Sequence, residues 1–256
     1  MNRQASKGGA ALFSYEMIKS LNNLEILIYN YVVCNPQKVI DMTIRELSNE
    51  LHVSTTTVLR FCHKAGCEGY SEFKYSLKEY VKNNRTNDVI EDFTILQDFF
   101  KKAESREFNN QLQTAAEIIC SKRNIYFIGM GTSGTLGKYG ARHISNLGLK
   151  AFYIDDPFYP TAGGDYTDSA VIALSVSGEQ KILHKQIVGL KNGNASIISI
   201  TNTRQCTLAS ISDFNIAYYM PMKVLPGLYN VTSQVPVMYI LESIAQKAQI
   251  IKNREQ

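Results

Sequence analysis

Residues 43–61 read TIRELSNELHVSTTTVLRF. A serine and three consecutive threonines, Ser54 to Thr57, stand between two segments of helical apolar spacing. Three adjacent threonines make a poor helix interior, because β-branched side chains lose χ1 freedom and their hydroxyls compete for the backbone. They suit a helix end. Ser54 is placed to be an N-cap whose oxygen accepts from the N–H of Thr56 or Thr57. Upstream, Thr43 and Glu46 form an S/T-x-x-E capping box ahead of Ile44, Leu47 and Leu51. Downstream, Val58, Phe61, Cys62 and Ala65 form one apolar side, and Gly66 stands where a C-terminal cap is expected.

The same rhythm extends outward. LNNLEILIYNYVVCN (21–35) places Leu21, Leu24, Ile28, Tyr31 and Val32 on one face, and YSEFKYSLKEYVKNN (70–84) reads as a further helix. No strand-like alternation of useful length interrupts residues 13–80. Three short helices, the third opening at Ser54 after a tight turn, have helix-turn-helix spacing. Thr55, Thr56 and Thr57 then occupy the turn that enters a DNA major groove, where hydroxyls meet phosphates or base edges and methyls meet thymine. Arg60 and Lys64 lie one and two turns further along. The charge distribution agrees: residues 1–85 carry 11 Lys+Arg against 8 Asp+Glu, and the remainder 16 against 15.

After a polar stretch at 82–95, read as a linker carrying at most a short helix, and a helix over 107–121, the pattern changes. NIYFIG (124–129), KAFYI (150–154), SAVIALS (169–175), ASIISIT (195–201) and FNIAYYM (214–220) are short, continuous apolar runs with helical segments between most of them. Continuous rather than alternating apolar strands imply a parallel sheet covered on both faces. The chain is therefore expected to hold two domains: an all-α helix-turn-helix domain (1–81), a linker (82–106), and an α/β three-layer, flavodoxin-like parallel-sheet domain (107–256) closed by a long helix over about 231–252 with Pro236 in its first turns.

The second half carries two hydroxyl-bearing loops. GMGTSG (129–134) satisfies G-x-G-x-x-G after a strand, and Asp155 and Asp156 end the next strand about 21 residues on, as in a dinucleotide fingerprint. A redox-sensing repressor binding NAD(H) is therefore one reading. The other starts from Thr132 and Ser133, hydroxyls where a dinucleotide loop relies on backbone N–H groups, and from ALSVSGEQ (173–180). There Ser175 and Ser177 flank Val176 at a strand end, followed by Gly178, Glu179 and Gln180 at a helix start. Hydroxyl donors beside positive helix ends make a cradle for one phosphate monoester. The candidate ligand residues are thus Gly131, Thr132, Ser133, Ser175, Val176, Ser177, Gly178, Glu179 and Gln180.

Composition narrows the classes. No apolar run approaches the ~18–20 residues of a membrane span, and no apolar run after the N-terminus makes a secretory signal. Cys34, Cys62, Cys67, Cys120 and Cys206 are an odd count without metal-ligand spacing, which points to reduced thiols in a cytoplasmic protein and to no metal site.

Thr43, Ile44, Glu46, Leu47, Ser48, Val53, Ser54, Thr57, Val58, Arg60, Phe61, Gly66, Gly69, Tyr70, Phe73 and Lys74 together resemble the N-terminal domain of RpiR-type bacterial transcription regulators. The resemblance implies packing roles for Tyr70 and Phe73 and phosphate contacts from Lys74 and Lys78. Gly129, Gly131, Thr132 and Ser133, the S-x-S-G-E run Ser175 to Glu179, Ile198 to Asn202, and Leu208, Ala209, Ser212 and Asp213 resemble the SIS (sugar isomerase) domain that such regulators carry as a sensor. The family's threonine after S-x-S-G is here Gln180, a longer amide donor. With Thr43 added, the DNA-contacting candidates are Thr43, Ser54, Thr55, Thr56, Thr57, Arg60, Lys64 and Lys74.

A phosphosugar isomerase needs a base near its substrate. His52 and His63 belong to the first half, while His143, His184 and Glu179 show no partner in sequence that would activate them. The expectation is a non-enzymatic regulator of carbohydrate metabolism with no cofactor. It binds duplex DNA as a homodimer or homotetramer and responds to a phosphosugar, the alternatives being an isomerase and the NAD(H) sensor.

Overall fold

The computed structural model describes residues 12–84, 89–225 and 229–254. It divides into two units: Met1–Ile95 with Tyr219–Thr232, and Leu96–Tyr218 with Ser233–Gln256.

The first unit is helical. Its elements are α1 (Tyr15–Ser20), α2 (Asn23–Cys34), α3 (Pro36–Asp41), α4 (Ile44–Glu50), α5 (Thr55–Lys64) and α6 (Tyr70–Asn84). Side-chain caps set the boundaries: Ser14 on α1, and full capping boxes of Asn22 with Glu25 on α2 and of Thr43 with Glu46 on α4. The turn between α4 and α5 is closed by His52 at φ 52°, a left-handed position unusual for a residue with a Cβ. Phe61 and Phe73 meet edge to face, their ring centroids 5.4 Å apart, and Val58 and Leu47 are fully buried in the same unit.

Helix α7 (Val89–Ala103) occupies most of the expected linker. Phe99 explains its length: it is buried, and its ring packs edge-on against Phe108 and Tyr239. The expectation of a linker rested on the polar stretch at 82–95, which ends before that anchor.

The second unit contains α8 (Arg106–Cys120), β1 (Asn124–Gly129), α9 (Thr132–Asn146), β2 (Ala151–Ile154), β3 (Ser169–Ser175), α10 (Lys181–Asn192), β4 (Ser196–Thr201), α11 (Thr207–Ile211) and β5 (Phe214–Ala217). All five strands are parallel in the order β2-β1-β3-β4-β5, so the chain reverses direction between β1 and β3. Alternate side chains serve opposite faces. Phe127 lies against α9, where a Cβ on Gly140 would come within 2.6 Å of its ring, whereas Ile128 joins Val171, Ala173 and Ile197 under Leu183, Ile187 and Leu190 of α10. This is the three-layer α/β architecture expected.

One segment departs from the expected layout. A small antiparallel hairpin, β6 (Val224–Leu225) with β7 (Tyr229–Asn230), follows β5 and precedes α12 (Val235–Arg254). Tyr219–Thr232 belongs to the helical unit although β5 and α12 on either side of it belong to the sheet unit. The Met222 N–H donates to the buried Tyr29 hydroxyl at 2.7 Å, and Tyr219 packs edge-on against Tyr15. Two-residue strands carry no periodicity by which a sequence could announce them.

Candidate functional site

The helix tip is built as its hydroxyls suggest, with one division of roles. Ser54 caps α5 by accepting from the Thr57 N–H at 3.1 Å. Thr57 is buried, its hydroxyl 2.8 Å from that of Ser54 and receiving Arg60 Nη2 at 3.4 Å. Thr57 is therefore a framing residue rather than a reading one, a correction to its place among the contacts. Thr55, Thr56 and Arg60 are exposed. Thr43 is exposed as well, at the start of α4, and its capping box holds the Glu46 carboxyl below its ordinary range through the Thr43 N–H and hydroxyl.

Two lysines make contacts within the protein. Lys64 reaches the Glu25 carboxylate at 2.6 Å and the Ser20 carbonyl at 2.6 Å. Glu25 is only 1% exposed, and its carboxylate also accepts from the Asn22 N–H at 3.0 Å. Lys64 thus braces α5 against α2, its ammonium engaged by two acceptors of the protein. Lys74 donates to the Met42 carbonyl at 3.1 Å, which fixes its ammonium beside the start of α4. Arg45, exposed in the first turn of α4, was not singled out from the sequence, where its place within T-I-R-E reads as part of a cap.

The second cluster lies at the C-terminal edge of the sheet. Gly129 is in register with Leu174, so the loops that follow β1 and β3 leave neighbouring strands at the same level. Those loops bring Gly131, Thr132 and Ser133 to the start of α9, and Ser175 to Gln180 to the start of α10. Neither helix has a side-chain cap: Gly131 (φ 58°) and Gln180 occupy the N-cap positions without a side-chain hydrogen bond. Their leading N–H groups therefore remain available to a ligand.

The loop hydroxyls are preset. Ser175 Oγ accepts from the Gly178 N–H at 3.1 Å and Ser177 Oγ from the Glu179 N–H at 3.3 Å, which orients each oxygen and leaves its proton to donate. Gly178 sits at φ 69°, and a Cβ there would lie 2.3 Å from Cys206 Sγ, so only glycine lets the loop close against β4's following turn. Burial pushes that thiol's pKa up, as befits a packing cysteine. His184 Nε2 is 2.7 Å from the Gly178 carbonyl. Glu179 turns away and accepts from the Thr207 N–H (2.8 Å) and hydroxyl (2.7 Å), capping α11; this corrects its place among the ligand contacts. Gln180 and Thr132 are exposed, Val176 and Ser177 partly so, while Ser133 and Ser175 are buried.

Among the described residues, no cluster of His, Cys, Asp or Glu could hold a metal ion, and no helix is long and apolar enough to cross a membrane.

A helix-turn-helix domain joined to a parallel-sheet α/β domain with two uncapped helix ends at its carboxyl edge is the class that fold and loops define. Residues 15–84 match the helix-turn-helix domain of the rpiR family and residues 117–245 match the SIS domain. The chain belongs to the rpiR family of helix-turn-helix transcription regulators that carry a SIS domain. An uncharacterized HTH-type transcriptional regulator of Clostridium perfringens is 22% identical over 236 residues, covering 85% of this chain and 84% of its own. The Vibrio vulnificus NanR protein, solved with ManNAc-6P, has TM-score 0.57 and 22% identity, covering 93% of this chain and 90% of its own. MJ1247 of Methanococcus jannaschii, whose structure was used to infer a 3-hexulose-6-phosphate isomerase function, has TM-score 0.50 and 22% identity over 64% of this chain and 90% of its own.

Proposed function

We propose that this regulator senses a phosphosugar in the cradle formed by residues 131–133 and 175–180, and that ligand binding alters its affinity for operator DNA. One observation carries the reading. Two adjacent helices, α9 and α10, present uncapped N-termini at the point where the strand order reverses, and preset serine hydroxyls stand between them. Open α/β sheets bind ligands at that point, and helix N-termini favour phosphate. NanR's complex with ManNAc-6P supports the same ligand class. Gln180, exposed and without a side-chain bond, supplies an amide donor where the family has threonine.

The domain is a sensor rather than an isomerase. The two groups nearest the cradle that could act as a base, Glu179 and His184, hold α11 and the Gly178 carbonyl. Thr55, Thr56 and Arg60 read base edges, with Thr43, Arg45, Lys74 and Lys78 along the phosphate backbone. The regulator acts in the cytoplasm on genes of carbohydrate metabolism, as a homodimer or homotetramer pairing two DNA-binding units on a two-fold-related operator. The Tyr219–Thr232 hairpin, bonded to Tyr29 yet continuous with β5 and α12, gives ligand-induced shifts in the sheet unit a covalent route to the DNA-binding unit.

A thermal-shift screen of hexose and pentose phosphates against free sugars tests the cradle. Stabilisation by at least one phosphate ester and none by its free sugar is expected. Turnover of the ester would instead make the domain an isomerase.

A further inference from the structure

Strand β2 ends the sheet, with β1 on one side and no strand on the other. The register fixes which of its groups face outward. Ala151 stands opposite Ile125, whose N–H donates to the Lys150 carbonyl at 2.8 Å. Successive residues of a strand alternate between its two neighbours, so Phe152 and the Ile154 N–H also turn toward β1. The N–H and C=O groups of Ala151 and Tyr153 turn outward. Ser145 Oγ donates to the Ala151 carbonyl at 3.1 Å, and the other three outward groups have no partner among the described residues.

One face of this edge is open as well. The connection from β2 to β3, residues 155–168, forms no helix. Ile154 still reaches the core under α10, but Phe152, two residues earlier on the same face, is 49% exposed beside the Tyr126 ring at 5.7 Å. Unpaired backbone groups flanked by an exposed aromatic ring are a template for another strand.

The residues KAFYIDD (150–156) indicate which strand. Two copies related by a two-fold axis pair antiparallel, and their hydrogen bonds form only where outward-facing residues oppose one another. Pairing centred on Tyr153 sets Tyr153 against itself, Ala151 against Asp155, Phe152 against Ile154 and Lys150 against Asp156. Lys150 and Asp156 are exposed, and Lys150 has no partner among the described residues. Opposite charges directly across a strand pair stabilise it, and like charges oppose it. Centring the pair on Phe152 or on Ile154 instead would set Lys150 against an apolar residue, Ile154 or Phe158.

We propose that β2 is a contact between copies of this chain, paired edge to edge about Tyr153 so that two five-stranded sheets join into one. This contact rests on the reading of the chain as an oligomer, and it gives that oligomer a surface.

Sedimentation equilibrium of the full-length protein tests it. Ala151→Pro removes an outward N–H and leaves every bond to β1 in place. It should halve the mass of the assembly. Lys150→Asp, an exposed change, should weaken association about tenfold or more. Lys150→Asp with Asp156→Lys restores opposite charges across the pair and should recover the wild-type mass. A wild-type protein that is monomeric overturns this contact together with the oligomer reading. An oligomer that keeps its mass and affinity in both Ala151→Pro and Lys150→Asp overturns this contact alone. A charge-swapped double variant no better associated than Lys150→Asp overturns the pairing about Tyr153.

Discussion

The two sites proposed for this molecule are both helix N-termini dressed with hydroxyls, and they are finished in opposite ways. In α4 and α5 the hydroxyls of Thr43 and Ser54 cap their own helices. The cap occupies one leading N–H of each helix, that of Glu46 and that of Thr57, and the side chains exposed to a partner on α5 are Thr55, Thr56 and Arg60. In α9 and α10 no side chain caps the helix, and the serines bind their own loop instead. What remains there is backbone. A capped helix presents side chains that can distinguish one base pair from another. An uncapped one presents N–H groups and a positive end that suit any phosphate ester and fix its position. Sequence discrimination and anion capture thus call for different treatments of the same four donors.

Several substitutions sharpen that contrast. The largest effect is expected at the reading face. Thr56→Ala with Arg60→Ala should reduce affinity by a hundredfold or more for a duplex selected from a random pool by the wild-type protein. Phosphosugar stabilisation should persist; retained DNA affinity in a gel-shift titration would remove α5 from the interface.

Next comes Lys64→Met, which strands the buried Glu25 carboxylate. It should cost about 2–3 kcal/mol of stability in urea unfolding, less than a fully buried pair because Lys64 is partly exposed. A loss of DNA affinity without a loss of stability would return Lys64 to the reading face.

A smaller effect is expected from His52→Gly. Relief of the left-handed conformation (φ 52°), offset by the added freedom of the unfolded chain, should stabilise by about 0.5–1 kcal/mol. The melting temperature reads it.

The smallest concerns pH. The carboxyls of Glu46 and Glu50 are held below the usual carboxylate range, Glu46 by the Thr43 N–H and Glu50 by Lys38. Their folded pKa values lie below the unfolded ones, so their stabilising effect is present above the ordinary carboxylate pKa and fades as pH falls through the folded values. Glu46→Gln should flatten the acid side of the stability profile slightly.

Much of this was legible in the residues. Continuous apolar runs gave the five parallel strands, because strands buried on both faces have no polar side to alternate. The caps at Thr43 and Ser54 fell where the side chains required. Lys64, Glu179 and Gln186 were harder, for a shared reason: a charged or amide residue in an amphipathic stretch reads as unengaged, and only the tertiary neighbour shows the bond it makes. Glu25 claims the lysine from 39 residues away, and Thr207 claims Glu179 from 28. The burial of Gln186, whose amide donates to the Asp156 carbonyl, had no mark in the sequence. The hairpin at 224–230 could not be read because its strands are two residues each.

The account turns on whether the uncapped ends of α9 and α10 receive the signal that α5 reports. Operator affinity measured with and without the stabilising phosphosugar, for the wild type and for Ser175→Ala with Ser177→Ala, decides it. A shift of about 5- to 150-fold in the wild type, and none in the double variant with its ligand-free DNA affinity unchanged, is the predicted result. An equal shift in both proteins would contradict it.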